Sequence, residues 1–186
     1  MAKDVATTTP FTILVDTREQ RPFTFRGMKS DANQGRRRLV VKTEWRCLGQ
    51  ASGDYSIDGL AGRCNVERKS IGDAQSTILG WHGRRERFKL ELVTLSEMEC
   101  SAVVVECTFG DLIRTAESRG VRTKAENQKT LFRQVLAWQQ DYAVPWIFCD
   151  GRRLAEIATF RILERFWRKV KKEERVRVKE MQGDLF

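Results

Sequence analysis

The sequence predicts a single α/β domain: a central mixed β-sheet flanked by helices. Three observations predict it. Short runs rich in β-branched residues alternate with segments of helical period. The early runs are joined by a hairpin signal, whereas the later ones are separated by helical segments, which mixes antiparallel with parallel pairing. The length of 186 residues, with 41% hydrophobic and 32% charged residues, suits one ordinary core. No internal repeat, low-complexity tract or linker divides the chain.

The elements follow in order. Residues 11–16 (FTILVD) read as the first strand. Residues 17–35, with Pro22, Gly27 and Gly35, read as a loop, and residues 39–48 resume a strand pattern. Residues 53–57 (GDYSI) open a third strand, Asp58-Gly59 marks a hairpin, and residues 64–68 form the returning strand. Ser70 is placed to cap a helix over residues 70–79, with Asp73 at its third position. Phe88, Leu92 and Leu95 recur at helical spacing within residues 84–98, and residues 101–106 (SAVVVE) have the look of a buried strand. Leu131, Val135 and Trp138 mark one face of a long helix over residues 123–142. Residues 144–149 (VPWIFC) form the last strand, and residue 152 onward is helical, becoming densely charged after Phe166.

Charge and composition narrow the chemistry. Lys and Arg number 34 against 25 Asp and Glu, a formal net charge of +9, which points to a polyanionic partner. The single histidine, His82, excludes every scheme that needs two imidazoles from one chain, so carboxylates and lysine must carry any catalysis. The five cysteines (Cys47, Cys64, Cys100, Cys107 and Cys149) form no C-x-x-C pair and sit in or beside apolar stretches, as reduced buried thiols do. The first ten residues have no apolar signal segment, and no stretch has the apolar length to cross a bilayer. A soluble cytoplasmic chain, in a prokaryotic or phage-infected cell, is the expectation, with no membrane partner. Trp45, Trp138, Trp146 and Trp167 are expected in the core.

The informative segment is Gly53-Asp54-Tyr55, then Val66-Glu67-Arg68-Lys69, then Asp73. On a strand, Glu67 and Lys69 point to one face and Arg68 to the other. Asp54, on the strand paired with them through the hairpin, reaches the same face. Two carboxylates and one ammonium then converge at a sheet edge. That arrangement suits a metal-dependent phosphodiesterase: hard oxygens hold Mg²⁺ or Mn²⁺, and a lysine orients water or stabilises charge on the phosphate.

The string Asp54…Glu67-x-Lys69 is similar to the PD-(D/E)XK nuclease arrangement, and Glu67-Arg68-Lys69-x-x-x-Asp73 resembles the signature of the XPF-family nuclease domain. Val15-Asp16-Thr17-Arg18-Glu19 resembles that family's first strand and the acid at its end. Gly53-Asp54-Tyr55 resembles its second motif, and Gly83-Arg84 to Phe88 followed by SAVVVE resembles its next helix and strand. The resemblance spans roughly residues 11–150. It implies a restriction-endonuclease-like nuclease fold, with Asp54 and Glu67 as metal ligands and Lys69 as the catalytic lysine. Asp16 and Asp73 become supporting acids, either outer partners of the metal or holders of basic side chains, and Arg68 is structural or phosphate-facing. The family usually adds a helix-hairpin-helix pair. No such glycine pattern follows Cys149, so the resemblance is to a stand-alone nuclease domain.

Basic and aromatic residues supply candidate nucleic-acid contacts. Arg36 and Arg37 (with Arg38) precede the second strand, and Arg84, Arg85 and Arg87 lie near Trp81 and His82; both groups are candidates for phosphates flanking the scissile bond, or for solvated surface. Trp81 is the candidate for stacking on a base, and His82 fits a surface or capping role better than a general base. Residues 161–180 carry nine basic and four acidic side chains, which suits either a DNA-facing helix or a solvated one.

The chain closes on Gln182-Gly183-Asp184-Leu185-Phe186. This pentapeptide resembles the motif by which bacterial replication and repair proteins bind the sliding clamp, which implies Gln182, Leu185 and Phe186 as clamp contacts. Packing of Leu185 and Phe186 back on the domain is the other reading. The expected organisation is a nuclease domain over residues 11–167 and a charged helix and tail over 168–186. The expected activity is metal-dependent endonucleolytic hydrolysis of branched, flap or nicked DNA in repair or recombination, with DNA, a bacterial-type clamp and a second copy of the chain as partners. The alternatives are a non-catalytic DNA-binding or clamp-adaptor module with the same fold, and a nuclease acting on RNA.

Overall fold

The computed structural model describes residues 6–31, 34–49, 53–118 and 121–183. Six strands form one mixed sheet in the order β2-β1-β3-β4-β5-β6. They are β1 (Thr7–Asp16), β2 (Leu39–Arg46), β3 (Tyr55–Ile57), β4 (Cys64–Lys69), β5 (Cys100–Val105) and β6 (Trp146–Phe148). Strand β1 runs parallel to β2 and antiparallel to β3, β3 is antiparallel to β4, and β4, β5 and β6 are mutually parallel. The helices are α1 (Ile71–Ile78), α2 (Arg84–Ser96), α3 (Phe109–Arg114), α4 (Lys124–Tyr142) and α5 (Arg152–Gly183), with a 3₁₀ turn at Trp81–Gly83 between α1 and α2. The α/β class and the mixed sheet are as the sequence predicts.

Strand alternation divides the core in two. Val66 of β4, Phe11, Ile13 and Val15 of β1, and Val104 of β5 face α5, where Phe160, Leu163, Phe166 and Val170 cover them. Val103 and Val105 face the other way and meet Leu92 and Leu95 of α2 and Leu131, Val135 and Trp138 of α4. Each α2 and α4 residue named from helical spacing is buried. Helix α5 crosses residues 167 and 168 without a break, and Val170 still packs in the core. None of the described helices is long and apolar enough to cross a membrane.

Local chemistry sets the boundaries. Strand β1 starts at Thr7, four residues earlier than the apolar run suggests, because a bulge against β2 between Thr8 and Thr12 accommodates Pro10. The Thr9 hydroxyl, which donates to the Phe11 carbonyl and accepts from the Lys42 N–H, fills the interrupted ladder. Ser70 caps α1 by accepting from the Asp73 N–H, as its spacing predicts. Thr123 and Glu126 form a capping box at α4. Residues 109–114, to which the sequence pattern assigns no element, are helical, a six-residue element too short to display a period. Two expectations are corrected. Trp45 is 55% exposed rather than in the core, because β2 is the edge strand and both its faces are largely open. Cys47, just past that strand, is exposed, whereas Cys64, Cys107 and Cys149 are buried and Cys100 is half-buried.

Candidate active site

The hairpin from β3 to β4 brings the predicted acids and lysine together. Glu67 and Lys69 share the α1/α2 face of β4, with the Lys69 ammonium 2.5 Å from Glu67 Oε1. Asp54, just before β3, accepts from the Arg68 N–H at 2.8 Å, which fixes its carboxylate over the same strand. The Asp54 carbonyl accepts from the Asp16 N–H and ties the turn to the end of β1. Gly53 allows this approach. A Cβ there would stand 2.8 Å from the Val66 carbonyl carbon and oxygen and 2.9 Å from the Glu67 nitrogen. These are backbone atoms of a central strand and cannot move aside, so only glycine lets Asp54 lie against Glu67.

The electrostatics of this corner are strained. Asp54 keeps a partial opening to solvent but is ringed by protein. Burial, and then the neighbouring Glu67 charge, hold its carboxyl well above the usual carboxylate range. Burial alone would lower the Lys69 pKa, but Glu67, Glu91 and Asp54 outweigh it, so the ammonium stays protonated far past neutrality. Lys69 also lies 4.5 Å from the centre of the Phe88 ring, a cation–π contact.

Glu91 is the residue the sequence reading missed. It projects from α2 with Oε2 3.9 Å from the Lys69 ammonium. That oxygen is buried without a hydrogen bond among the described residues. Burial and the Glu67 charge push its pKa up to about 7. The signal was present: Glu91 follows Phe88 by three residues and precedes Leu92 by one, so it sits on the edge of the buried face of α2. Lys69, Glu91, Phe88, Arg84 and Arg87 line a shallow cavity of about 230 Å³.

The remaining candidates separate by geometry. Asp16 lies at the end of β1, 1% exposed, and accepts from the Arg18 backbone and side chain and from the Leu48 N–H. Burial would raise its pKa, but these bonds outweigh burial and lower it. Asp16 thus holds a basic side chain, one of the two roles left open to it, and Arg18 feels the charges of Asp54 and Glu91. Asp73 likewise holds Arg84 at 2.5 Å from its place on α1. Arg68 points to the opposite face, 8% exposed, with its guanidinium on Glu19 and Glu106 and 5.7 Å from the Phe23 ring centre. Its phosphate-facing reading is corrected to a structural one. Arg85 is drawn inward to the Ile78 carbonyl, where it closes the end of α1, so it too is a structural contact. Arg87 remains exposed at the cavity. Trp81 is half-buried against the α1/α2 core, and His82 adopts a left-handed backbone (φ 53°) in the 3₁₀ turn. Arg36 and Arg37 do not flank this corner; they lie near the start of β1, at its other end. Gln182 is exposed near the end of α5, and Leu185 and Phe186 lie outside the described residues.

The donor set is chemically suited to a hard divalent cation. Asp54 and Glu67 are two like-charged carboxylates held together with their mutual repulsion only partly offset by Lys69. Among the described residues no group of three or more His, Cys, Asp and Glu converges. A cation of this class completes its shell with water and substrate phosphate when one or two carboxylates hold it.

The sequence matches no protein-family model and no curated protein. The structure is similar to that of XPF from Aeropyrum pernix, with a TM-score of 0.57 at 18% identity, covering 92% of this chain and 73% of that one. It is also similar to XPF from Aeropyrum pernix in complex with DNA, with a TM-score of 0.56 at 18% identity, covering 86% of this chain and 66% of that one. The chain therefore shares its fold with these XPF structures.

Proposed function

We propose that the chain is a DNA endonuclease that hydrolyses phosphodiester bonds with Mg²⁺ or Mn²⁺, acting on branched, flap or nicked DNA in repair or recombination. The observation that carries this reading is the pairing of Asp54 with Glu67 beside a cationic Lys69. The complex of a similarly folded XPF with DNA supports DNA as the substrate class. The chemistry a bound divalent ion supplies is polarisation of the scissile phosphate and activation of water.

The chain's own residues divide the rest of the work. Asp54 and Glu67 hold the ion, and the Arg68 N–H fixes the Asp54 carboxylate in place for that task. Lys69 serves as a cation rather than a base, because the surrounding acids keep it protonated; it stabilises charge developing on the phosphate. Asp16 and Asp73 position Arg18 and Arg84, and Arg84 and Arg87 are placed at the cavity for phosphates beside the scissile bond. Residues 182–186 serve as the clamp-binding peptide in this reading, which rests on their resemblance to the bacterial motif. A panel of flap, forked, nicked, single-stranded and RNA substrates tests it, with Mg²⁺, with Mn²⁺ and with chelator. The expected result is ion-dependent internal cleavage of a branched or nicked DNA. Cleavage confined to RNA, or no cleavage of any substrate, overturns it.

A further inference from the structure

A second basic surface lies away from the candidate active site. Helix α5, the start of β1 and the residues Ser30, Gln34, Arg37 and Leu39 enclose a groove of about 430 Å³. Its apolar lining includes Phe11, Leu39 and Trp167, and its basic lining comprises Arg37, Arg168, Lys171, Lys172 and Arg175. Glu164 is the one acid in that lining, and Arg161 and Arg168 hold it at 2.5 and 2.7 Å. Lys171 is paired with Glu174. Arg37, Lys172 and Arg175 have no ion pair among the described residues, so three cations surround an apolar trough.

The position separates this groove from the catalytic corner. The groove opens at Thr7, where β1 begins, and the corner lies past Asp16, where it ends. The groove's lining reaches Phe11, and the strand from there to Asp16 spans about 17 Å. The two also sit on opposite faces of the sheet, since Phe11 faces α5 whereas Glu67 and Lys69 face α1 and α2. A straight duplex cannot lie in both.

We propose that this groove is a second nucleic-acid site that takes a single-stranded segment, such as a flap or displaced strand of the substrate. The proposal rests on the DNA-nuclease reading for the source of that strand. Charge complementarity selects a polyanion. The apolar lining with Trp167 selects one whose bases are unpaired, because a duplex keeps its bases stacked inside, whereas a single strand lays them on an aromatic surface while cations track its backbone. Lys172 and Arg175, one turn apart on α5, and Arg37 across the trough supply the phosphate contacts.

The test is anisotropy of a labelled single-stranded DNA oligonucleotide with the full chain, in chelator so that no hydrolysis occurs, across a salt series. Each phosphate contact contributes about 0.7 to the slope of log affinity against log salt for a single strand. The triple variant Arg37→Ala/Lys172→Ala/Arg175→Ala should bind more weakly and lower that slope by about 2. None of the three side chains has an ion pair among the described residues, so the variant should melt with the wild type; if it does not, Lys172→Gln/Arg175→Gln serves and should lower the slope by about 1.4. An unchanged affinity and slope overturns the proposal. So does displacement of the oligonucleotide by an acidic peptide, or by anionic vesicles, at lower concentration than by unlabelled DNA. Because binding is read without cleavage, an inactive protein with the expected slope change overturns the nuclease reading alone. An active one without the slope change overturns the groove alone.

Discussion

Replacing Asp54 by Asn should stabilise the ion-free protein while removing its function. The Asp54 carboxyl is ringed by protein and faces Glu67, and both effects disfavour its charged form. Asparagine keeps an oxygen to accept the Arg68 N–H and removes the charge. Lys69 loses one electrostatic partner but keeps Glu67 and Glu91, so the favourable side of the exchange dominates. Relief at a single strained site commonly yields about 1–2 kcal/mol, and for a chain of this size that raises Tm by about 2–8 °C. The sign with pH follows from the direction of the shift. A carboxyl whose folded pKa lies above its unfolded value of about 3.9 destabilises the fold when ionised. The penalty is absent below that value, grows as pH rises, and is complete above the folded pKa. The advantage of Asp54→Asn should therefore vanish near pH 4 and be larger at about pH 8. A divalent ion held by Asp54 and Glu67 should reverse the order: at about 100-fold over its Kd it would stabilise the wild type by about 2.7 kcal/mol, and the variant should lose that gain. Thermal melts at both pH values, in chelator and in Mg²⁺, measure all of this. An Asp54→Asn protein melting at or below the wild type in chelator at the higher pH refutes the reasoning.

Three further outcomes follow from named contacts. Gly53→Ala forces a Cβ onto the β4 backbone, so it should cost about 1–3 kcal/mol in denaturant titration and, by displacing Asp54 by about an ångström, about 10²-fold in cleavage rate. Arg68→Ala leaves Glu19 without its buried partner, although Glu106 keeps Arg152; a loss of about 3–5 kcal/mol is expected, with DNA affinity per folded molecule unchanged, whereas a phosphate contact would show the reverse. Removing residues 182–186 should abolish binding to a bacterial-type clamp in a pull-down or by calorimetry and leave clamp-independent cleavage intact.

The central pairing was legible because it rests on two local rules. Alternation along β4 puts Glu67 and Lys69 on one face and Arg68 on the other, and the Asp58-Gly59 turn folds Asp54 back onto that strand. Helix α2 was legible from Phe88, Leu92 and Leu95, and Glu91 beside them carried a positional signal, but a carboxylate at the edge of a buried helix face looks solvated until a buried lysine is known to stand opposite. Asp16 and Asp73 were left with two roles because only the fold shows Arg18 and Arg84 within their reach. Trp45 misled for a different reason. A strand pattern does not say whether the strand is central or at the edge, and β2 is at the edge. The placement of Arg36 and Arg37 away from the catalytic corner depends on the parallel pairing of β2 with β1, a long-range choice that no short window of sequence contains.

Ion-dependent cleavage of nicked or branched DNA by the wild type, beside Glu67→Gln and Lys69→Ala, tests the central claim most directly. The account predicts cleavage with Mg²⁺ or Mn²⁺, none in chelator, and a fall of about 10²-fold or more in each variant at unchanged folding. Full activity in both variants, or cleavage indifferent to chelator, contradicts it.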